Sequence, residues 1–185
     1  FVGYDADTAS SRVVALIENG RRVIEAGAGS RVAFVSDKTP FYGESGGQVG
    51  DKGVAIVEGV EIEITSTKKP VAEIIVHEAT IKKGAIKEGM TLTLAIDSEA
   101  RQATRCNHTT THLLHRALRE VLGEHVKQAG ALVGPSRLRF DFAHFKAMEP
   151  AEIREVERLV NESIRKNYRV KTSVLSYDEA VAKGA

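Results

Sequence analysis

The sequence predicts an α+β protein, with an all-β first half and a second half of helices and extended segments. In the first half, short runs of β-branched residues alternate with glycine, and twelve of the sixteen glycines precede residue 90. Asn19-Gly20 is typical of a two-residue hairpin turn, because both central residues of a type I′ turn need positive φ. After Asp97 the spacing of apolar residues becomes helical. We therefore expect a β domain at residues 1–96 and a second domain at residues 97–185.

Short strands bounded by turn residues make up the β domain. They are expected at residues 11–18, 21–25, 31–35, 54–58, 60–65, 72–76 and 91–96. Strands of this number and length close most economically into a small barrel or a sandwich.

The second domain begins with a helix, predicted over residues 108–122. Asn107 is the expected N-cap, and Gly123 is the expected stop. One stripe of this helix is apolar and comprises Leu114, Leu118, Val121 and Leu122.

A hairpin, a second helix and a strand follow. Extended runs at residues 125–133 and 137–142 flank the turn Gly134-Pro135-Ser136. Glu149-Pro150 opens the second helix, and a strand is expected at residues 169–175. The expected apolar face of the second helix comprises Ile153, Val156, Val160 and Ile164.

The two ends of the sequence look like internal positions of a longer chain. The chain starts at Phe1 without an initiator Met. Near the other end, Ser176 and Glu179 form a capping box for a third helix that is barely begun at Ala185. The second domain is therefore expected to be incomplete.

Composition excludes several classes of protein. With 42% hydrophobic and 28% charged residues, the chain has enough apolar material for a core, so disorder is excluded as its main state. No apolar run approaches the roughly 20 residues of a membrane-spanning helix. The single cysteine, Cys106, cannot form an internal disulfide. We expect a soluble, cytoplasmic protein.

Charge alone does not identify a partner. Residues 1–95 carry 11 Lys and Arg against 13 Asp and Glu, whereas residues 96–185 carry 15 against 12. Ten of those 15 basic residues are arginine, which hints at phosphate contact. A balanced charge of this size is also typical of any solvated surface.

His108 and His112 are the most informative candidates for a functional site. Two histidines four residues apart lie on one helix face, where both imidazoles can bind one metal ion. Zinc peptidases share this spacing but carry Glu after the first His, where this chain has Thr109, so peptidase chemistry is disfavoured. Both histidines could equally be ordinary surface residues.

Two histidines do not complete a zinc site, because catalytic zinc normally has three protein ligands. His115 lies on the same face, but three histidines on one straight helix converge poorly on a single metal ion. We therefore interpret His115 as a packing or supporting residue. Cys106 is expected to be a small buried or boundary residue.

The segment at residues 39–53 contains five glycines, which would let the backbone approach a ligand closely. It lacks the Gly-Lys-Ser/Thr ending of a nucleotide P-loop. By itself such a segment is more often a set of tight turns than a binding site.

Residues 39–53 and 107–145 together, including His108-Thr109-Thr110-Thr111-His112 and Leu138-Arg139-Phe140-Asp141-Phe142, closely resemble the editing region of the alanyl-tRNA synthetase family. The resemblance spans essentially the whole chain. It implies a β-barrel similar to a translation-factor domain, followed by an editing domain similar to that of threonyl-tRNA synthetase. It also implies that the glycine-rich loop faces the histidine helix across the domain junction.

The resemblance implies particular roles for several residues. His108 and His112 would be zinc ligands, completed by a downstream Cys and His that this chain lacks, so we expect weak or no zinc binding here. Thr111 and Gln128 would line the amino-acid pocket. The loop of Ser45, Gly46, Gly47 and Gln48 would close over the substrate end. ATP and Mg²⁺ would bind only to the absent aminoacylation domain.

The implied activity is hydrolysis of serine or glycine from mischarged tRNA(Ala), whose acceptor end is the expected partner along with the rest of the synthetase chain. A pocket for alanine cannot exclude glycine and rejects serine only about 10²-fold, so a second, hydrolytic site is needed. Without the resemblance, Thr111 is a helix threonine bonded to its own turn and Gln128 an exposed strand residue. A free-standing editing protein and a non-catalytic tRNA-binding module remain alternatives.

Overall fold

The computed structural model describes residues 1–169, 173 and 175–183. Strands make up the first half of the chain, and helices with one β-hairpin make up the second half. Nine strands come first: β1 Thr8–Glu18, β2 Arg21–Arg22, β3 Glu25–Gly27, β4 Arg31–Ser36, β5 Gly53–Val57, β6 Val60–Val71, β7 Ile74–Lys83, β8 Ala85–Lys87 and β9 Thr91–Ile96. The second half comprises α1 Ser98–Leu122, β10 Gln128–Val133, β11 Leu138–Phe142, α2 Pro150–Arg165 and α3 Tyr177–Ala182.

Six of the strands close into an antiparallel barrel. Hydrogen bonding runs in the order β1-β4-β7-β6-β5-β9, and β9 pairs back with β1. Of the two architectures compatible with the strand pattern, the barrel is therefore the correct one. Asn19 and Gly20 both have positive φ, 52° and 76°, which confirms the predicted turn between β1 and β2.

Alternation along the strands fills the barrel with apolar side chains. In β1, a register shift between Val13 and Ala15 moves the inward position by one residue, so that Val13 and Leu16 are both buried. The barrel core also contains Val32, Phe34, Phe41, Ile62, Ile64, Ile81, Ile86, Leu92 and Leu94. Two strand predictions need correction. The strand expected at residues 21–25 is divided between β2, which ends at Arg22, and β3, which begins at Glu25. Of residues 72–76, only residues 74–76 are extended, as the start of β7, whereas residues 72–73 form the turn after β6, where Glu73 has a φ of 68°.

Helix α1 starts ten residues earlier than predicted. Its N-cap is Asp97, whose carboxylate accepts a hydrogen bond from the Ala100 backbone N–H at 2.9 Å. Asn107 is therefore a mid-helix residue and not the N-cap. Since β9 ends at Ile96, the helix leaves the barrel wall directly.

A second, smaller core lies between α1, α2 and the β10–β11 hairpin. Ala117, Leu118, Val126 and Val156 are its buried members. The capping box predicted at Ser176 and the helix opening at Glu149-Pro150 are both present. Ile153 and Ile164, expected on the apolar face of α2, are 44% and 50% exposed. Most of the strand expected at residues 169–175 lies outside the described residues.

Arg101 of α1 and Asp51 of the glycine-rich segment form a buried ion pair that joins the helix to the barrel. Their side chains are 11% and 8% exposed. The guanidinium also donates to the carbonyl oxygens of Gly3 and Pro40, each at 2.9 Å, and Asp51 accepts from the Tyr42 backbone N–H. Every charge in this pair therefore has several hydrogen-bond partners.

Replacing one partner should destabilise the chain strongly. Arg101→Met leaves the Asp51 carboxylate buried without its cation, a change that costs about 3–5 kcal/mol. Arg105→Met, at an exposed position one turn later, should cost within about 0.5 kcal/mol. Urea denaturation of the two variants measures both values, and equal costs would contradict the anchoring role of Arg101.

His77 is a buried histidine inside the barrel. Its Nδ1–H donates to the Phe34 carbonyl oxygen at 3.1 Å, and its Nε2 accepts from the Thr39 hydroxyl at 2.8 Å. Burial lowers the pKa of His77 from 6.5 to about 4, against a smaller opposing contribution from the Phe34 carbonyl. The folded state therefore holds a neutral imidazole.

Acid should weaken the barrel through this group. Between pH 6.5 and 4 the unfolded chain binds a proton at His77 that the folded chain does not. The free energy of unfolding therefore decreases as the pH is lowered through this range, by about 3 kcal/mol in all. His77→Gln should show a correspondingly smaller loss between pH 7 and 4. Thr109→Ala, which replaces an exposed residue that does not titrate, is the control and should keep the wild-type loss. Chemical denaturation across this pH range tests it, and identical profiles for wild type and His77→Gln would refute it.

Candidate active site at the helix and loop junction

The glycine-rich loop reaches the histidine helix, as predicted. Gln48 is 7% exposed, and its Oε1 lies 2.6 Å from Nδ1 of His108. Because a carbonyl oxygen only accepts, Nδ1 of His108 carries the proton and donates it. The Nε2 lone pair of His108 is then left for other chemistry.

Backbone pairing with the hairpin holds Gln48 in place. The Val133 N–H donates to the Gly47 carbonyl oxygen at 2.8 Å, and the Val49 N–H donates to the Val133 carbonyl oxygen at 2.9 Å. A Cβ on Gly47 would lie 2.7 Å from the Ala131 carbonyl oxygen, so only glycine allows this approach. The loop is thus seated on β10.

Ser45 and Gly46 form the tip of the same loop. Ser45 and Gln48 exchange backbone hydrogen bonds of 3.2 Å and 3.0 Å around a tight turn, in which Gly46 has a φ of 59°. The Tyr42 hydroxyl donates to the Ser45 carbonyl oxygen at 3.3 Å. Whether this tip closes over a substrate stays a prediction.

His108 and His112 face the same side of α1. Their rings stack with centroids 5.2 Å apart and planes inclined by 21°. Burial lowers the pKa of His108, and the neighbouring His112 lowers it further. His112 is exposed to solvent. The pair therefore offers one partly buried, oriented imidazole and one accessible imidazole.

Thr111 is a helix threonine bonded to its own turn, and Gln128 is an exposed strand residue, as expected for both without the family resemblance. Thr111 is buried, and its hydroxyl donates to the Asn107 carbonyl oxygen one turn earlier at 2.9 Å. Gln128 begins β10, is exposed and pairs with Phe142. Their place in an amino-acid pocket stays a prediction.

His115 contacts the β10–β11 hairpin, and Cys106 is turned to solvent. His115 packs against Phe140, with ring centroids 5.3 Å apart, and its Nε2 lies 3.4 Å from the Val126 carbonyl oxygen. Cys106 is exposed, not buried or at a boundary as the sequence suggested, because the longer helix turns it to solvent.

The donor set does not make a zinc site by itself. Within the described residues, no cluster of three or more His, Cys, Asp or Glu side chains could hold a metal ion. One nitrogen of His108 is already bonded to Gln48. The described part of the chain thus offers zinc two imidazole nitrogens, half of a tetrahedral set.

Three residues that position the site are absent from the predicted set. Asn107 donates from its side-chain amide to the Gly134 carbonyl oxygen at 2.7 Å, tying α1 to the hairpin turn. Arg101 and Asp51 anchor the helix to the barrel. Arg101 precedes His108 by seven residues, which places both on the same face of a helix that contains them. The sequence prediction misses this relation because the predicted helix begins only at residue 108.

No helix in the described part of the chain has the length and apolarity needed to cross a membrane.

Comparison with known proteins identifies the family. Residues 1–100 match the family model described as tRNA synthetases class II (A). Over its whole length the chain is 45% identical to the alanine–tRNA ligase of Desulfosudis oleivorans, 47% to that of Anaeromyxobacter dehalogenans and 48% to that of Paracoccus denitrificans. It covers 20–21% of the length of these relatives, about a fifth. The chain therefore belongs to the class II tRNA synthetases (A), in the alanyl-tRNA synthetase family.

Proposed function

We propose that this chain is the editing region of an alanine–tRNA ligase and hydrolyses the ester that links serine or glycine to tRNA(Ala). The observation that carries the proposal is the contact between Gln48 and His108, beside His112, in a chain of this family. This contact fixes the imidazole of His108 and leaves its Nε2 without a hydrogen-bond partner within the described residues, so that this nitrogen could serve as the base in ester hydrolysis.

His108 would act as the general base. Its Nε2 accepts a proton from water as the water oxygen adds to the ester carbonyl. The tetrahedral intermediate then collapses, the bond to the ribose oxygen breaks, and the imidazolium returns its proton to that oxygen. The products are the free amino acid and a tRNA with an intact terminal hydroxyl. Gln48 stabilises the imidazolium through the Nδ1–H bond.

A metal would add Lewis-acid chemistry to this site when bound. His108 Nε2 and a nitrogen of His112 are the ligands that the described residues could contribute. Since the donor set is half complete, we propose that this chain alone holds zinc weakly or not at all, and the steps above use its own side chains.

Recognition of serine would need a hydrogen bond to the hydroxyl that alanine lacks. Thr111 and Gln128 are the proposed donors and acceptors. Thr111 retains acceptor capacity while it donates to the Asn107 carbonyl, and the Gln128 side chain forms no hydrogen bond within the described part of the chain. Both side chains therefore keep a group that could meet the serine hydroxyl.

Deacylation of seryl-tRNA(Ala) tests the proposal, with alanyl-tRNA(Ala) as the control substrate. We expect hydrolysis of the seryl ester in preference to the alanyl ester. His108→Ala should lower the rate about 10²-fold or more, because the general base is lost. Thr109 is an exposed residue of α1 between the two histidines, so Thr109→Ala is the matched control and should retain the rate.

A chain that binds tRNA but hydrolyses neither ester, also when extended at its C-terminus and supplied with zinc, would favour a tRNA-binding module. An equal loss of rate in His108→Ala and Thr109→Ala would contradict the assignment of His108.

A further inference from the structure

Three arginines lie on the same face of α1 as His112. With 100° per residue, Arg105, Arg116 and Arg119 all project within about 40° of His112. All three are exposed, and within the described residues none of them forms an ion pair. Unpaired guanidinium groups in a row suit the phosphates of an RNA backbone.

The N-terminal side of the histidine pair is closed by the rest of the molecule. Arg101 is bound to Asp51 of the barrel, Gln48 covers Nδ1 of His108, and Asn107 is tied to the turn at Gly134. A strand that approached from this side would have to pass the barrel loops.

The C-terminal side is open. A surface groove of about 470 Å³ begins at His112 and runs along the second half of α1. Its lining consists of His112, His115, Arg116, Arg119, Glu120 and Glu124. The groove thus connects the accessible imidazole of the pair with two of the three arginines.

The two glutamates in the groove lie on its far side. Glu120 and Glu124 project about 80° and 120° away from His112 around the helix, whereas the arginines project within about 40°. An anionic strand is repelled from the glutamate side and attracted to the arginine row. Arg116 and Arg119 lie about 6 Å and 10.5 Å from His112 along the helix axis, so they would meet phosphates close to the reacting end.

We propose that the 3′ end of the RNA substrate enters along the C-terminal half of α1, with Arg116 and Arg119 contacting its backbone phosphates. This proposal rests on the proposed function, because it takes the histidine pair as the place of the ester. It adds a direction of entry and two contact residues. Arg105, on the barrel side of the pair, takes no part.

The chain provides its own matched control. Arg105 and Arg119 are each seven residues from His112, on opposite sides of it and on the same helix face. Both are exposed arginines, so their replacement changes the net charge equally. Only their position relative to the site differs.

Binding is measured by fluorescence anisotropy, with the 185-residue chain and a labelled RNA hairpin that ends in a single-stranded tRNA acceptor sequence. Arg116→Gln and Arg119→Gln should each weaken binding about 3- to 10-fold at low salt. Each should also lower the slope of log affinity against log salt concentration by about 0.7. Arg116→Lys should retain the slope, and Arg105→Gln should match wild type.

Two results would overturn the proposal. One is a loss of affinity in Arg105→Gln as large as that in Arg119→Gln, which indicates general charge attraction or entry from the barrel side. The other is wild-type affinity and slope in Arg116→Gln and Arg119→Gln. Wild-type chain that does not bind the RNA overturns both this proposal and the proposed function. RNA binding through Arg116 and Arg119 without hydrolysis of seryl-tRNA(Ala) refutes the proposed function alone.

Discussion

The buried ion pair between Arg101 and Asp51 is the interaction on which the arrangement of the site depends. Taking two charges out of water is costly, and the pair is stable only if hydrogen bonds satisfy the remaining donors and acceptors. Here the guanidinium reaches the carboxylate and two backbone carbonyls, while the carboxylate also accepts from the Tyr42 N–H. The first turn of α1 is thereby fixed against two segments of the barrel domain, the N-terminal segment at Gly3 and the β4–β5 connection at Pro40 and Asp51.

The position of His108 follows from this anchor and from helix geometry. His108 follows Arg101 by seven residues, which is about 10.5 Å along the axis on the same face. At that distance His108 bonds to Gln48, whose loop is fixed by backbone hydrogen bonds to Val133 of β10. Barrel, helix and hairpin therefore meet at one imidazole, and a shift in any of the three would change the orientation of that imidazole.

The glycines of residues 39–53 serve mainly the packing of this loop onto the barrel. A Cβ on Gly50 would lie 1.8 Å from the Thr67 carbonyl oxygen, and one on Gly53 would lie 2.1 Å from that of Ala95. Gly47 is restricted in the same way by Ala131. Their spacing thus reflects close backbone approach, and Gln48 is the member of the segment that brings a side chain to the site.

Sequence patterns predicted the elements with strong local signals. The Asn19-Gly20 turn and the α2 and α3 caps depend on neighbouring residues alone, and each is confirmed. The start of α1 could not be read from periodicity, because residues 98–107 are mostly polar and pack through polar residues such as Ser98, Arg101 and Thr104 instead of an apolar stripe. The Asp51 contact is equally invisible in sequence, since 50 residues separate the partners. The resemblance located the histidines, but only the fold shows which of their nitrogens is engaged.

The protonation of His108 tests the central claim, that the anchored loop holds this imidazole with Nδ1 protonated and Nε2 free. Long-range ¹⁵N–¹H correlation spectra of the 185-residue chain at neutral pH distinguish the two tautomers. We predict the Nδ1–H form for His108, and its loss in Gln48→Leu and in Arg101→Met. An Nε2–H form in the wild-type chain, or an Nδ1–H form that persists in both variants, would contradict this account.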